Sequence, residues 1–185
     1  MNESIFAEKL AKKLRMRITN FKIDTKTSLL YSISFDDEGN LDLHLGEDLR
    51  PKRGKGKGFE QDVLIYNIVG GDTSLVPRVI MELKFGKVGT HSAIIYSEKL
   101  RLIKSIYPYV RYGLILGGMP EIPPRVLRHG QGFDFIQTVS FPFRSSELNK
   151  LVRLLKKEAN LSKKLAKIFN GKKKLKFLHR QVRMS

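Results

Sequence analysis

Two acidic residues and a lysine stand within neighbouring apolar segments of this chain, at positions 62, 82 and 84. Residues 79–86 read VIMELKFG, so Glu82 and Lys84 interrupt a run that otherwise suits a buried strand. Because side chains alternate along a strand, Glu82 and Lys84 share one face and Leu83 points to the other. Asp62 opens a second strand-like run, and pairing of the two strands would bring Asp62 and Glu82 together. Two carboxylates at one point favour a hard divalent cation such as Mg²⁺, which completes its shell with waters and substrate phosphate.

Lys84 adds an ammonium group to this carboxylate pair. An ammonium group beside a bound cation can orient a water molecule and stabilise negative charge that develops on a phosphate. The backbone carbonyl of Leu83 is a candidate for one more metal ligand. Together, Asp62, Glu82 and Lys84 predict a catalytic site that cleaves phosphodiesters.

The elements that must position this site follow from hydrophobic periodicity and turn residues. Ser4 is the expected N-cap of an opening helix, and Pro108 prevents a central helix from continuing. The central helix lies between two strand-like runs, which predicts a parallel crossover. Breaks are expected near Asn160 and at Asn170-Gly171 in the C-terminal part. The predicted elements are a helix over 4–18, a hairpin of 27–35 with 41–45, strands over 59–67 and 77–85, a helix over 90–107, a strand over 110–118, a short strand within 132–141, and two or three helices from 145 onward.

These elements predict an α/β fold with a mixed central sheet flanked by helices. At 185 residues with 41% apolar content, the chain is long enough for one sizeable domain. We expect a single domain over 1–185, with a catalytic core over about 1–118 and a basic helical part over about 145–185.

Positive charge dominates the composition, with 35 Lys and Arg residues against 18 Asp and Glu residues and a formal net charge of +17. Such an excess favours a polyanionic partner, most commonly nucleic acid. Basic residues alternate with glycines over 50–58, and they crowd the segment 150–183, in which Glu158 is the one acid. The candidate phosphate-binding residues are Arg50, Lys52, Arg53, Lys55, Lys57, Lys87, Lys172, Lys173 and Lys174.

The chain contains no cysteine, no run of about 18 apolar residues, and no secretory-type leader at its start. These features exclude disulfides and thiolate metal sites and predict an intracellular, cytoplasmic protein without a membrane partner. The Lys-rich tail lacks the bulky aromatic face that surface-bound helices favour, so a membrane-surface role is a weaker alternative.

Asp62 and the triplet Glu82-Leu83-Lys84, in the order strand, strand, helix, strand, resemble the PD-(D/E)xK nuclease superfamily, which has the restriction-endonuclease-like fold. The resemblance covers roughly residues 1–118. It implies a prokaryotic, Mg²⁺-dependent enzyme, for which Mn²⁺ would substitute, that hydrolyses double-stranded DNA as a homodimer or with a partner subunit. Among such enzymes, the compact length of this chain is most like that of a type II restriction endonuclease. Gln61 departs from the superfamily pattern, because it precedes Asp62 where proline is usual.

The resemblance also implies a glutamate on the first helix near the metal, for which Glu8 is the first candidate and Glu3 the second. Glu60 is a further acid close to Asp62, and His91 follows the triplet closely enough to reach a phosphate, although a surface role is preferred for both. His44 and His129 have no partners that suggest a metal site or a catalytic triad.

Three alternatives stay open. A Holliday-junction resolvase or a DNA-repair nuclease would share the same catalytic residues. A noncatalytic, basic nucleic-acid-binding protein would result if Asp62 and Glu82 never meet. An edge strand with a solvated polar face would by itself explain Glu82 and Lys84.

Overall fold

A computed structural model describes residues 2–43, 45–46, 50–51, 57–70 and 74–177 of the chain. Within these residues the chain forms a mixed α/β structure built on a five-stranded sheet and a separate two-stranded hairpin. The predicted mixed sheet flanked by helices is therefore confirmed. The elements in chain order are α1 (Glu3–Arg15), β1 (Lys22–Leu30), β2 (Ser34–Phe35), β3 (Leu41–Asp42), β4 (Gly58–Val69), β5 (Ser74–Phe85), α2 (Thr90–Ile106), β6 (Arg111–Gly117), α3 (Pro124–His129), β7 (Phe135–Val139) and α4 (Ser145–Phe169).

The strand order in the large sheet is β1-β4-β5-β6-β7. The strands β1, β4 and β5 pair antiparallel, whereas β6 and β7 continue the sheet in parallel. Helix α2 connects β5 to β6, as expected for a parallel pair, which needs a crossover connection. The predicted crossover and the predicted short strand β7 are both confirmed.

Helices cover both faces of the sheet. The face formed by Val63, Met81 and Leu83 packs against α1 and α4. The opposite face, which carries Leu64 and Ile80, packs against α2. The alternation predicted for β5 is confirmed, because successive residues of this strand belong to different cores.

Helix α1 begins two residues earlier than the predicted N-cap implies. Asn2, not Ser4, is the N-cap, and its side chain accepts a hydrogen bond from the amide of Ile5 at 2.9 Å. Ile5 is exposed, and the buried stripe starts at Phe6. Asparagine and serine are comparable N-caps, so the choice depended on which register buried the apolar stripe.

The C-terminal part contains one long helix up to Phe169 rather than two or three. Asn160 does not break α4, because the buried stripe runs past it from Leu155 through Ala159 to Ser162. The helix propensity of asparagine is only modestly poor, so packing overrides it. The predicted end at Asn170-Gly171 is confirmed, and Gly171 has the positive φ (69°) that suits a helix terminus.

An ion-pair network attaches α4 to the sheet. Arg111, at the start of β6, contacts Glu158 on α4 at 2.6 Å and Asp134 before β7 at 2.7 Å. Asp134 also accepts a bond from Lys104 on α2 at 2.8 Å. Helices on both faces of the sheet are thereby joined through one arginine and one aspartate.

Candidate active site

The pairing between β4 and β5 ends next to Asp62 and Glu82. Their described pairs run from Val69–Ser74 to Val63–Met81. Beyond that point β4 remains paired with β1 and β5 with β6. The carboxylate of Asp62 takes over, since its Oδ2 accepts a hydrogen bond from the amide of Leu83 at 2.7 Å. A side chain thus replaces the backbone acceptor where the β4–β5 ladder stops.

Asp62 and Glu82 come together at this point. Val63–Met81 is the last described pair of the ladder, and Asp62 and Glu82 occupy the next position on each strand. Residues opposite each other in an antiparallel ladder share a face. The two groups interact electrostatically, because the charge of Asp62 adds to the effect of burial in raising the pKa of Glu82. Asp62 and Glu82 are therefore neighbours on one face of the sheet, and their joint role as metal ligands stays a prediction.

Glu82 is buried, with 2% of its side chain exposed, and its charge is compensated. Oε1 accepts hydrogen bonds from Lys99 Nζ at 2.7 Å and from the Tyr112 hydroxyl at 2.8 Å. Burial, followed by the charge of Glu82, raises the pKa of Tyr112, so this residue remains a hydroxyl donor. Helix α2 and strand β6 each contribute one of these two partners.

Lys99 also contacts the other strand of the opening. Its Nζ donates a hydrogen bond to the backbone carbonyl of Glu60 on β4 at 2.5 Å. The same ammonium therefore joins β4 to β5 beyond their last described pair. Glu60 itself is exposed, and its backbone rather than its carboxylate takes part in this contact.

Burial is the largest cause of a raised pKa for both acids of the pair. It raises the pKa of Asp62, while the Leu83 amide and the ammonium groups of Lys99 and Lys84 lower it. Burial also raises the pKa of Glu82, against the lowering effect of Lys99. A cation bound by both carboxylates would favour their ionised forms and so lower both raised pKa values.

Lys84 lies on the same face as Glu82 and contacts the start of α1. Its Nζ is 2.6 Å from Glu3 Oε1 and 5.9 Å from the centre of the Tyr96 ring. Burial lowers the pKa of Lys84, but the hydrogen bond to Glu3 and the charges of Tyr96 and Glu3 outweigh it, so the pKa is raised. Lys84 is consequently an ammonium group at neutral pH.

The helix glutamate at this site is Glu3 and not Glu8. Glu3 contacts Lys84, and its charge raises the pKa of Asp62. Glu8 instead accepts a hydrogen bond from the hydroxyl of Thr25 on β1. The preference for Glu8 was wrong in this respect, because the N-terminus of α1, rather than its second turn, lies beside β5.

The carboxylate pair suits a cation that keeps most of its own waters. Within the part of the chain that the structure describes, no group of three or more His, Cys, Asp or Glu residues could hold a metal ion. Among the described residues, Asp62 Oδ1 and Glu82 Oε2 carry no hydrogen bond. Mg²⁺ commonly binds through one or two carboxylates plus waters and phosphate oxygens, so this donor set fits it and Mn²⁺, whereas an all-protein cage is not present among these residues. The role of the Leu83 carbonyl as a metal ligand stays a prediction.

The predicted phosphate-binding residues lie in several parts of the chain, and the structure describes six of the nine. Lys52, Arg53 and Lys55 lie outside the described residues. The Arg50 guanidinium is 5.8 Å from the Tyr66 ring. Lys57, which precedes β4, accepts a backbone hydrogen bond from the amide of Tyr31. Three further lysines, Lys172, Lys173 and Lys174, are exposed beyond the end of α4, and Lys87 is exposed two residues after β5.

The structure describes two of the three histidines considered from the sequence. His91 is exposed in the first turn of α2, and the backbone carbonyl of His129 accepts a bond from the Ser97 hydroxyl. His44 lies outside the described residues.

Lys99 and Tyr112 were missed by the sequence analysis. Tyr112 fitted a buried apolar strand, and its hydroxyl gave no sign of a partner. Lys99 lies three residues after Tyr96, which is on the buried face of α2, and side chains at that spacing are neighbours on a helix. A lysine next to a buried helix face is the signal that could have identified it.

No family model matches this chain, and no curated protein sequence matches it. None of the helices in the described ranges is both long and apolar enough to cross a membrane.

Proposed function

We propose that this chain is a Mg²⁺-dependent DNA endonuclease with the restriction-endonuclease-like fold, and specifically a type II restriction enzyme. The observation that carries the proposal is the convergence of Asp62 and Glu82 where the β4–β5 ladder ends, with Lys84 on the same face. The order of elements around the site supports it. A helix, three antiparallel strands, a crossover helix and a parallel strand surround these residues, as the resemblance to the PD-(D/E)xK superfamily implies.

Asp62 and Glu82 would hold the metal. When bound, Mg²⁺ would polarise a phosphoryl oxygen and make water a better nucleophile. Asp62 is held in place by its bond to the Leu83 amide, and Glu82 by Tyr112 and Lys99. These bonds orient both carboxylates before any ligand arrives, which is the preorganisation that a catalytic site requires.

Lys84 would act as a cation and not as a base. Its raised pKa keeps the proton on Nζ at neutral pH, so the group can donate a hydrogen bond to water or phosphate but cannot accept one. The contact with Glu3 holds this ammonium beside the acids. We infer that Lys84 orients the attacking water and stabilises charge on the phosphate.

The charge of the chain supports DNA as the substrate. A formal net charge of +17 attracts phosphates irrespective of base sequence. With one set of Asp62, Glu82 and Lys84 in each chain, cutting both strands of a duplex would require a second copy or a partner subunit, and a two-fold pair is the simplest arrangement.

The test is incubation of the purified protein with plasmid and phage DNA and Mg²⁺, followed by gel electrophoresis. Asp62→Ala and Lys84→Ala should each reduce cleavage by at least about 10²-fold while DNA binding persists, and Asp37→Ala, at an exposed turn position, is the matched control. Discrete bands would support sequence-specific restriction. Preference for a four-way junction over the same duplex would instead support a resolvase or repair enzyme. Cleavage that survives both site substitutions would refute the nuclease proposal.

A noncatalytic nucleic-acid-binding protein is the second candidate. One observation favours it: Lys99 already neutralises Glu82, and no third acidic or histidine ligand joins the pair among the described residues. This function predicts salt-dependent DNA binding that Mg²⁺ leaves unchanged and no cleavage under any metal condition.

A further inference from the structure

A surface groove runs between α1 and the segment that links β7 to α4. It has a volume of about 380 Å³, and its lining includes neither Asp62 nor Glu82. We refer to it as the α1 groove, and its lining residues are Lys9, Lys12, Lys13, Met16, Phe141, Pro142 and Phe143.

One side of the α1 groove is cationic. Lys9, Lys12, Lys13 and Met16 follow the spacing i, i+3, i+4, i+7, so they form one stripe along α1. All four are exposed, and Met16 reaches 70% exposure. The described lining contains lysines but no acid, so an anionic ligand would meet only attractive charge there.

The other side is aromatic. The rings of Phe141 and Phe143 are 5.2 Å apart in an edge arrangement, and both are half-buried. Lys9 Nζ lies 5.2 Å from the centre of the Phe141 ring, so this ring already accepts a cation. The groove therefore combines π surfaces with ammonium groups a few ångströms away.

The aromatic segment is held in position from behind. Glu147 on α4 accepts hydrogen bonds from the amide and the hydroxyl of Ser140, at 2.7 and 2.6 Å. Phe143 packs against Phe6 at 5.7 Å, and Phe6 is fully buried. The rings are thus presented by an anchored segment, which lowers the ordering cost of binding.

The α1 groove is close to the carboxylate pair through β5. Phe85 follows Lys84 in this strand and faces the opposite side of the sheet. The Phe85 ring is 6.1 Å from Phe141 and 5.4 Å from Phe6. The groove and the site therefore flank the same end of β5, on opposite faces of the sheet.

We propose that the α1 groove binds a single-stranded segment of nucleic acid, with a base against Phe141 and Phe143 and phosphates at Lys12 and Lys13. Aromatic platforms beside a row of cations are the combination that unpaired nucleic acid requires, because each nucleotide offers a π face and a charge. A paired duplex would satisfy the lysines but not the rings, since its bases are stacked on each other. The choice of nucleic acid as the polyanion rests on the proposed function, in which such a segment would be unpaired DNA adjoining the cut.

The experiment measures binding without metal, so it is independent of cleavage. Fluorescence anisotropy of the full chain is recorded with a labelled oligothymidylate and with a duplex of equal length. Phe141→Leu should weaken single-strand binding about tenfold, the size of effect expected for one stacked base, and change duplex binding less than twofold. Phe35→Leu is the matched control, because Phe35 is 69% exposed on the separate hairpin.

A charge-reversed pair keeps the proposal testable if Phe141→Leu disturbs folding. Lys12→Glu with Lys13→Glu alters only exposed side chains and should weaken single-strand binding more than duplex binding. The same change at Lys156 and Lys157, exposed on α4, should weaken both equally. Unchanged single-strand binding by both groove variants, or equal loss on duplex and single strand, would overturn the proposal. If the groove variants lose the preference for single strands while the wild type shows no Mg²⁺-dependent cleavage, the groove proposal stands and the nuclease proposal is rejected.

Discussion

Lys99 Nζ on α2 lies 2.7 Å from Glu82 Oε1 on β5, so a helix on one face of the sheet neutralises an acid within it. Only 15% of the Lys99 side chain and 2% of the Glu82 side chain are exposed. Removing one member of such a pair leaves the other buried without its counter-charge.

Lys99→Met should lower the free energy of unfolding by about 3 kcal/mol, the usual cost of an isolated buried charge. Adding Glu82→Gln to this variant should recover most of the loss, because the uncompensated acid is then gone. Urea denaturation of the wild type, both single variants and the double variant gives the coupling energy. Lys87→Met, at an exposed position, should change the stability by less than about 0.5 kcal/mol. Additive effects of the two site substitutions would contradict the pairing.

Asp62→Asn should stabilise the metal-free protein at neutral pH. The folded pKa of Asp62 is raised above 3.8, so the native state holds this proton more tightly than the unfolded chain does. Stability from this group therefore decreases as pH rises above about 4, and an uncharged asparagine avoids that loss. We expect a higher Tm for Asp62→Asn than for the wild type at pH 7, and no gain near pH 3. Differential scanning calorimetry at the two pH values checks this, and a lower Tm at pH 7 would show that the ionised acid is stabilising.

Mg²⁺ should raise the Tm of the wild type and not that of Asp62→Asn. A ligand that binds only the folded state stabilises it by RT ln(1 + [L]/Kd), so about 10 mM Mg²⁺ with a Kd near 1 mM gives about 1.4 kcal/mol. In this chain the corresponding shift is about 4 °C. NaCl at matched ionic strength is the control for screening. Equal shifts in both proteins would place the cation elsewhere.

Glu3→Gln should shift the alkaline limb of the cleavage profile to lower pH while cleavage at pH 7 is retained. The bond to Glu3 contributes to the raised pKa of Lys84, so losing the glutamate charge lets Lys84 deprotonate earlier. Lys84→Ala should slow cleavage at every pH, by about 10²–10³-fold if Lys84 is one donor to developing charge. Single-turnover rates against pH separate the two variants. Complete loss of activity in Glu3→Gln with weakened metal binding would instead make Glu3 a metal ligand.

The strands that form the site were predictable because their patterns are strong. Alternation in β5 fixed which residues share a face with Glu82, and the strand predicted over 59–67 lies within β4 (Gly58–Val69) and pairs with β5 as expected. The central helix and the parallel strand after it were bounded by proline and glycine, which act locally.

Other features depend on contacts between residues far apart in the chain. Lys99 and Tyr112 reach Glu82 from α2 and β6, and no spacing in the sequence encodes that meeting. The choice between Glu3 and Glu8 depended on how α1 is placed along β5, which is set by packing of Phe6 against Phe85. The continuity of α4 through Asn160 was likewise decided by burial rather than by propensity.

Helix α4 is part of the packed structure, because it is attached to the sheet through Arg111 and Glu158 and contributes residues to the core. Its apolar stripe covers the same sheet face as α1, so a chain shortened to the first 118 residues would expose that face to water. The segment over 1–118 and the C-terminal helix therefore share one core and are not separable units. Substitutions that alter how α4 would contact the proposed DNA substrate must keep its buried face, and its exposed lysines can be changed at less cost to folding.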